Sequence, residues 1–157
     1  MGFDPVPRST DFNQRIDPEV FKYQAEQVAA VKSEQGFAAE IQAEIDKLIR
    51  ADLLILQFPL WWFSVPAILK GWIDKVFAMG VVYGGDVGFY SRGRFKGRRA
   101  MLAFSTGGPR EMYGPTGLNG LADVVLWPLE NGVLNFVGYD VLPRFHAPGP
   151  ARADDAT

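Results

Sequence analysis

The chain has 157 residues, enough for one domain, and its 48% hydrophobic and 22% charged content is that of a globular protein, which excludes a disordered or fibrous chain. A formal charge of −2 and a pI near 5.4 leave no broad basic surface, so nucleic acid is not expected as a partner. With no cysteine and a single histidine, disulfides, thiol redox chemistry and cysteine-ligated or all-histidine metal sites are excluded, and no metal is expected.

The thiol-free composition suits a reducing compartment, and the start MGFDPVPRST lacks the basic and apolar regions of a secretory signal. The cytoplasm is therefore the expected location. Residues 1–18 are rich in proline and polar groups and are expected to cross the surface without regular structure. Residues 19–33 read as a short helix. After Gly36, the spacing of Ile41, Ile45, Leu48 and Ile49 predicts an amphipathic helix ending near Arg50.

Leu53, Leu54, Ile55 and Leu56 do not alternate with polar residues, which predicts a strand buried on both faces of a parallel sheet. Phe58-Pro59-Leu60-Trp61-Trp62-Phe63 follows at the carboxyl end of that strand, where open α/β sheets bind ligands, and its rings suit a flat ligand. On position alone a plain core role for Trp62 and Phe63 competes with this. Residues 53–69 contain few polar groups, but Pro59 and Pro66 interrupt any helix through them, so no membrane span is expected.

Ser64 is placed to cap the next helix and Pro66 to occupy its first turn. Ile68, Leu69, Trp72, Ile73, Val76 and Phe77 form its apolar face, leaving Lys70, Asp74 and Lys75 on the other side. Gly71 weakens such a helix by about 1 kcal/mol relative to alanine, so its presence predicts close approach of another backbone. Arg92, Arg94, Lys96, Arg98 and Arg99, spaced by Gly93 and Gly97, read first as a solvated loop and second as a site for an anionic nucleotide.

Residues 100–104 form a second strand, closed by Ser105-Thr106-Gly107-Gly108, whose backbone N–H groups and hydroxyls can meet a ligand edge. An ordinary turn explains that motif equally well. Neither GxGxxG nor GxxxxGK[ST] occurs, so phosphate cradling of those kinds is absent. Residues 123–137 read as a helix in two parts, broken at Pro128 and ended by Gly138, and residues 139–145 as a third strand. His146, beside a proline-rich tail, reads as a surface residue. The alternation of helices and strands predicts an α/β unit with a parallel sheet and right-handed crossovers, a single domain over residues 1–157.

QFPLWWFSVPAILKGWIDKVF, STGGPREMYGPTG and LWPLENGVLNFVGYDVLP, in that order, strongly resemble the NAD(P)H:quinone oxidoreductases of the DT-diaphorase type and their bacterial relatives. The resemblance runs from about Phe3 to Asp154. It implies a flavodoxin-like three-layer fold, a homodimer and a bound FAD, with FMN as the other flavin, through which a hydride passes from NAD(P)H to a quinone or similar acceptor. It places Pro59, Leu60, Trp62 and Phe63 along the flavin ring, and Ser105, Thr106, Gly107 and Gly108 on its polar edge. Tyr113 would stabilise charge near the pyrimidine end. Tyr83 and Phe136 would reach the nicotinamide and quinone site across the dimer, with Met112 beside them.

This sequence departs from the family pattern in two ways. Asn119 stands where the best-known members carry a histidine that partners the tyrosine, and asparagine can hydrogen-bond but not take up a proton near neutral pH. The chain also starts after the family's first strand, pyrophosphate loop, helix and second strand, and lacks its final helix. The Leu53 strand is then expected to lose a neighbour and expose an apolar edge. Two alternatives stand beside the reductase: a regulatory ancillary flavoprotein of a potassium efflux system, docking peripherally to a transporter, and an inactive truncated remnant.

Overall fold

The computed structural model of the chain describes residues 2–152; residue 1 and residues 153–157, which include the end of the family-like stretch at Asp154, lie outside it. Helix α1 spans Tyr23–Lys32, α2 Ala39–Arg50, α3 Ala67–Val76 and α4 Ala122–Leu129. Strands β1 (Leu53–Pro59), β2 (Arg99–Thr106), β3 (Asp140–Val141) and β4 (Phe145–Pro148) form one parallel sheet. β2 is central, pairing with β1 on one side and with β3 and then β4 on the other.

In this sheet Leu56 lies opposite Leu102, and Phe58, Phe104 and His146 lie side by side, so all five share one face. That face is buried with Ile41, Ile45 and Leu48 of α2 and Ile73 and Val76 of α3, each such side chain contributing roughly 1.5–3 kcal/mol. β1 is not buried on both faces as its composition predicts. It has one neighbour among the described residues, and Leu53 and Ile55 are 42% and 48% exposed on its open side. The apolar run therefore alternates in burial, because helices cover only one side of it.

Helix α1 starts at Tyr23 instead of residue 19, because the Asp17 carboxylate accepts the N–H groups of Glu19 and Val20 and holds a turn there. Ser64 does not cap α3, whose N-terminal flank is Pro66. Residues 2–18 are irregular apart from the short turn Ser9–Asp11, but they bury Phe3, Asp11 and Phe12. Gly71 explains part of their path, since a Cβ there would sit 2.2 Å from the Pro5 carbonyl oxygen. Lys75, expected on the solvated side of α3, is instead buried under this same segment and pairs with Asp11.

Pro128 has no N–H to offer, and the helix it interrupts widens into a π-helical stretch, Glu130–Asn135, before Gly138 at φ +100° ends it. The predicted third strand is divided into β3 and β4. Pro143 lies in the gap, where it cannot donate to the ladder. The basic loop is mainly solvated, but Arg98 folds back and donates to the carbonyls of Ile49 and Ala51 at the end of α2.

Candidate functional site

The ends of β1 and β2 converge. Pro59 pairs with Ser105, and the Leu60 N–H donates to the Ser105 carbonyl at 2.8 Å. Beyond this link Trp61 and Ser64 exchange both backbone hydrogen bonds, at 3.0 and 2.9 Å, and close a tight turn. Its central residues Trp62 and Phe63 have φ of +49° and +60°, the left-handed values that glycine or asparagine normally supplies. Such a conformation costs of order 1–3 kcal/mol for each residue and marks ligand clamps and active sites. Here it holds the Trp62 ring, 96% exposed, and the Phe63 ring, 51% exposed, beside the strand ends.

On the β2 side, Ser105 and Thr106 belong to the strand itself, and Gly107 and Gly108 form the loop. The Thr106 hydroxyl donates to the Gly108 carbonyl at 2.8 Å. Among the described residues no acceptor takes the N–H of Gly107 or of Gly108, and a Cβ at Gly107 would meet open space. Exposed rings and free donors at adjacent strand ends fit a flat heterocycle with a polar acceptor edge. A trough of about 300 Å³ runs beside them over the open sheet face, lined by Gln57, Pro59, Ala103, Ser105 and Phe145 among others.

Tyr113 ends a short turn, Arg110–Tyr113, and Met112 packs on Gly108. The Asn119 N–H donates to the Met112 carbonyl at 2.9 Å, so Tyr113 and Asn119 belong to one folded loop next to the glycines. Tyr83 and Phe136 lie elsewhere, with ring centroids 6.0 Å apart. Phe89 and Tyr90 complete their aromatic cluster. Tyr83 and Phe136 line a cavity of about 380 Å³ with Tyr23, Gln24, Gln27 and Asp74. None of the strand-end residues lines it, and Met112, expected beside Tyr83 and Phe136, does not line it either.

The reading of His146 as a surface residue is wrong. It is 9% exposed, its ring stacks on Phe104 at 4.5 Å and 8°, and its Nε2 lies 2.8 Å from the Thr106 hydroxyl. Burial, and secondarily the Arg110 charge, holds its pKa below the ordinary histidine value. A strand period of two continued past Phe145 would have pointed to it, because Phe145 faces outward and its successor must face inward.

A family model described as flavodoxin-like fold matches residues 5–157. The chain belongs to this flavodoxin-like family. It is 47% identical to human ribosyldihydronicotinamide dehydrogenase [quinone] over 90% of its length, which is 61% of that relative. It is 32% identical to the ancillary protein KefF of a glutathione-regulated potassium-efflux system from Enterobacter sp. strain 638, over 98% of this chain and 84% of that protein. Among solved structures, a candidate quinone reductase from Klebsiella pneumoniae superposes with a TM-score of 0.90 at 37% identity, covering 98% of this chain and 62% of that one. General stress protein 14 of Treponema denticola, solved in complex with FMN, superposes with a TM-score of 0.60 at 33% identity, covering 69% of this chain and 59% of that one. The chain thus spans about three-fifths of the length of the human and Klebsiella relatives.

Proposed function

We propose that the chain acts as a flavin-dependent NAD(P)H:quinone oxidoreductase. The observation that carries this reading is the convergence of an exposed, left-handed Trp62–Phe63 turn with the free N–H groups of Gly107 and Gly108. A flavin, FAD in the first instance, supplies the chemistry of moving a hydride from a dihydronicotinamide to a quinone. The residues supply its setting. Pro59, Leu60, Trp62 and Phe63 wall one side of the ring, and Ser105, Gly107 and Gly108 donate to its polar edge, while Thr106 behind them gives its hydroxyl hydrogen to the Gly108 carbonyl. The Tyr113 hydroxyl stands by for charge developing near that edge, helped by the exclusion of water. Asn119 can orient that tyrosine but not exchange a proton with it.

The relatives' names support this reading, joining dihydronicotinamide oxidation to a quinone in the human protein and FMN to the fold in the Treponema protein. Tyr83, Phe136 and Met112 are the proposed substrate contacts. Since the first two lie outside the strand-end group, a second copy of the chain is the proposed source of that wall, and a homodimer the proposed assembly. Leu118, Leu121, Val124 and Trp127 leave a largely exposed apolar face at α4 suited to such a contact. Among the described residues no helix is long and apolar enough to cross a membrane. The cytoplasm is the proposed location.

The test is titration of the purified chain with FAD and with FMN, followed by anaerobic addition of NADPH or NADH. Saturable binding, bleaching of the visible band and quinone-dependent turnover are expected. A chain that stays colourless with both flavins defeats the proposal and favours the remnant. The KefF relative, most of whose length the chain covers, supports a second reading as a transporter's ancillary protein. Channel activation that survives loss of NAD(P)H oxidation would favour it.

A further inference from the structure

β4 sets His146 opposite Phe104 in the ladder, and the two rings stack. The Tyr113 ring stands perpendicular to the imidazole, centroids 5.8 Å apart at 87°. One side chain therefore touches Thr106, where β2 enters the Gly107–Gly108 turn, and Tyr113 in the loop that follows. Thr106 is itself buried, 3% exposed, and lies between the imidazole and the Gly108 carbonyl.

Proton counting orients this chain of bonds. The Thr106 hydroxyl has one hydrogen, and the Gly108 carbonyl can only accept, so that hydrogen goes to Gly108. The 2.8 Å contact with His146 then needs a proton on Nε2. The sequence His146 Nε2–H to Thr106 Oγ1–H to Gly108 C=O fixes the hydroxyl's rotation and the direction of the Gly108 carbonyl. That carbonyl belongs to the Gly108–Pro109 peptide, which has no N–H, so the bond acts on the free N–H groups of Gly107 and Gly108 by pinning both ends of the three-residue turn that carries them. Arg110 holds the strand from the other side, donating to the His146 carbonyl at 3.0 Å.

We propose that His146 is a positioning residue, which holds the Thr106–Gly108 turn in its ligand-ready form through the Nε2 tautomer and braces Tyr113 with the same ring. This rests on the reading that a flavin edge meets that turn. His146 stands on β4 and Asn119 in the loop after Tyr113, so His146 does not occupy the position where the resembling family has its histidine, and it touches no proposed substrate contact. The charged and titratable groups facing it are Arg110 and Tyr113. Protonation would add a hydrogen at Nδ1 and leave the Nε2 donor in place, so the clamp does not open when the ring becomes charged.

Because the chain has a single histidine, its imidazole nitrogens give one pair of NMR signals. In the flavin-free chain the expected result is the Nε2–H tautomer, titrating below the ordinary histidine range, with the tautomer preference lost in Thr106→Val. Flavin binding is the second arm. His146→Phe keeps the stack on Phe104 but removes the donor, and is expected to weaken flavin binding about fivefold to tenfold, the scale of one buried hydrogen bond. His146→Gln restores a donor and is expected to bind within about threefold of the parent. A mixed tautomer in the parent, or His146→Phe binding as the parent does, overturns the proposal. If the parent binds no flavin while the tautomer result holds, the flavin reading has failed and the positioning role falls with it, although the clamp exists.

Discussion

Lys75 and Asp11 form an ion pair at 3.0 Å in the interior, 64 residues apart in the chain, and this pair fastens the N-terminal segment beneath helix α3. The same Asp11 carboxylate accepts the Tyr23 hydroxyl and the Arg8 N–H, so three parts of the chain meet on it. The Lys75 ammonium also lies 5.3 Å from the Phe3 ring centre. Taking two charges out of water is expensive, and the two further hydrogen bonds to the Asp11 carboxylate offset part of that cost. Lys75→Met, which leaves a buried carboxylate without its cation, is expected to lower stability by about 3 kcal/mol. The double change with Asp11→Asn is expected to lose less than the sum of the singles. Urea unfolding of the four proteins checks this, and strict additivity would refute the coupling.

Gly71 permits the close approach of Pro5. Gly71→Ala improves helix propensity by about 1 kcal/mol, yet the added methyl would meet the Pro5 backbone and force it away. A net loss of about 1–3 kcal/mol is expected. Gly132→Ala, where nothing lies within 4 Å of the added carbon, is expected to be neutral or to gain up to about 1 kcal/mol. Thermal unfolding of the two variants compares a crowded glycine with an open one.

Trp62 contributes little to the fold and much to the proposed site, since its ring is almost wholly exposed. Trp62→Ala is expected to change stability by less than about 0.5 kcal/mol while weakening flavin binding by tenfold or more. Equal flavin retention in fluorescence titration would remove the ring from the site.

Tyr113→Phe keeps the ring against His146 and deletes the hydroxyl. Slower flavin reduction in single-turnover mixing, about tenfold or more, with near-parental binding is the expected result. An unchanged rate would show that the hydroxyl does not stabilise developing charge.

Glu26 supplies a pH signature separate from the site. Burial pushes its carboxyl up, but hydrogen bonds from Arg15 at 2.7 Å and the Ile16 N–H at 3.0 Å outweigh it and hold the pKa below the ordinary 4.5. A depressed carboxylate pKa stabilises the fold above its unfolded value, and that stabilisation is lost as pH falls through the folded value. The stability gap between the parent and Glu26→Gln is therefore expected to be full at neutral pH and to shrink below about pH 4.5. Denaturant midpoints at several pH values measure it. A gap that does not change with pH would dissociate Glu26 from acid sensitivity.

What the residues announced by themselves was local. The spacing of Ile41, Ile45 and Leu48 determined α2, Pro128 the break after α4, Gly71 a close backbone, and the two strand-end motifs a pair of candidate walls, because each depends on neighbours within a few turns of chain. The tertiary structure decided the rest. Lys75 is buried because a segment 64 residues away covers it, and β1 alternates in burial because only one side of it is covered. His146 becomes part of the candidate site because the β2–β4 register sets it beside Phe104 and Thr106. Burial and hydrogen-bond partners are properties of what packs across space, and a linear pattern records only what one element offers, not what will cover it.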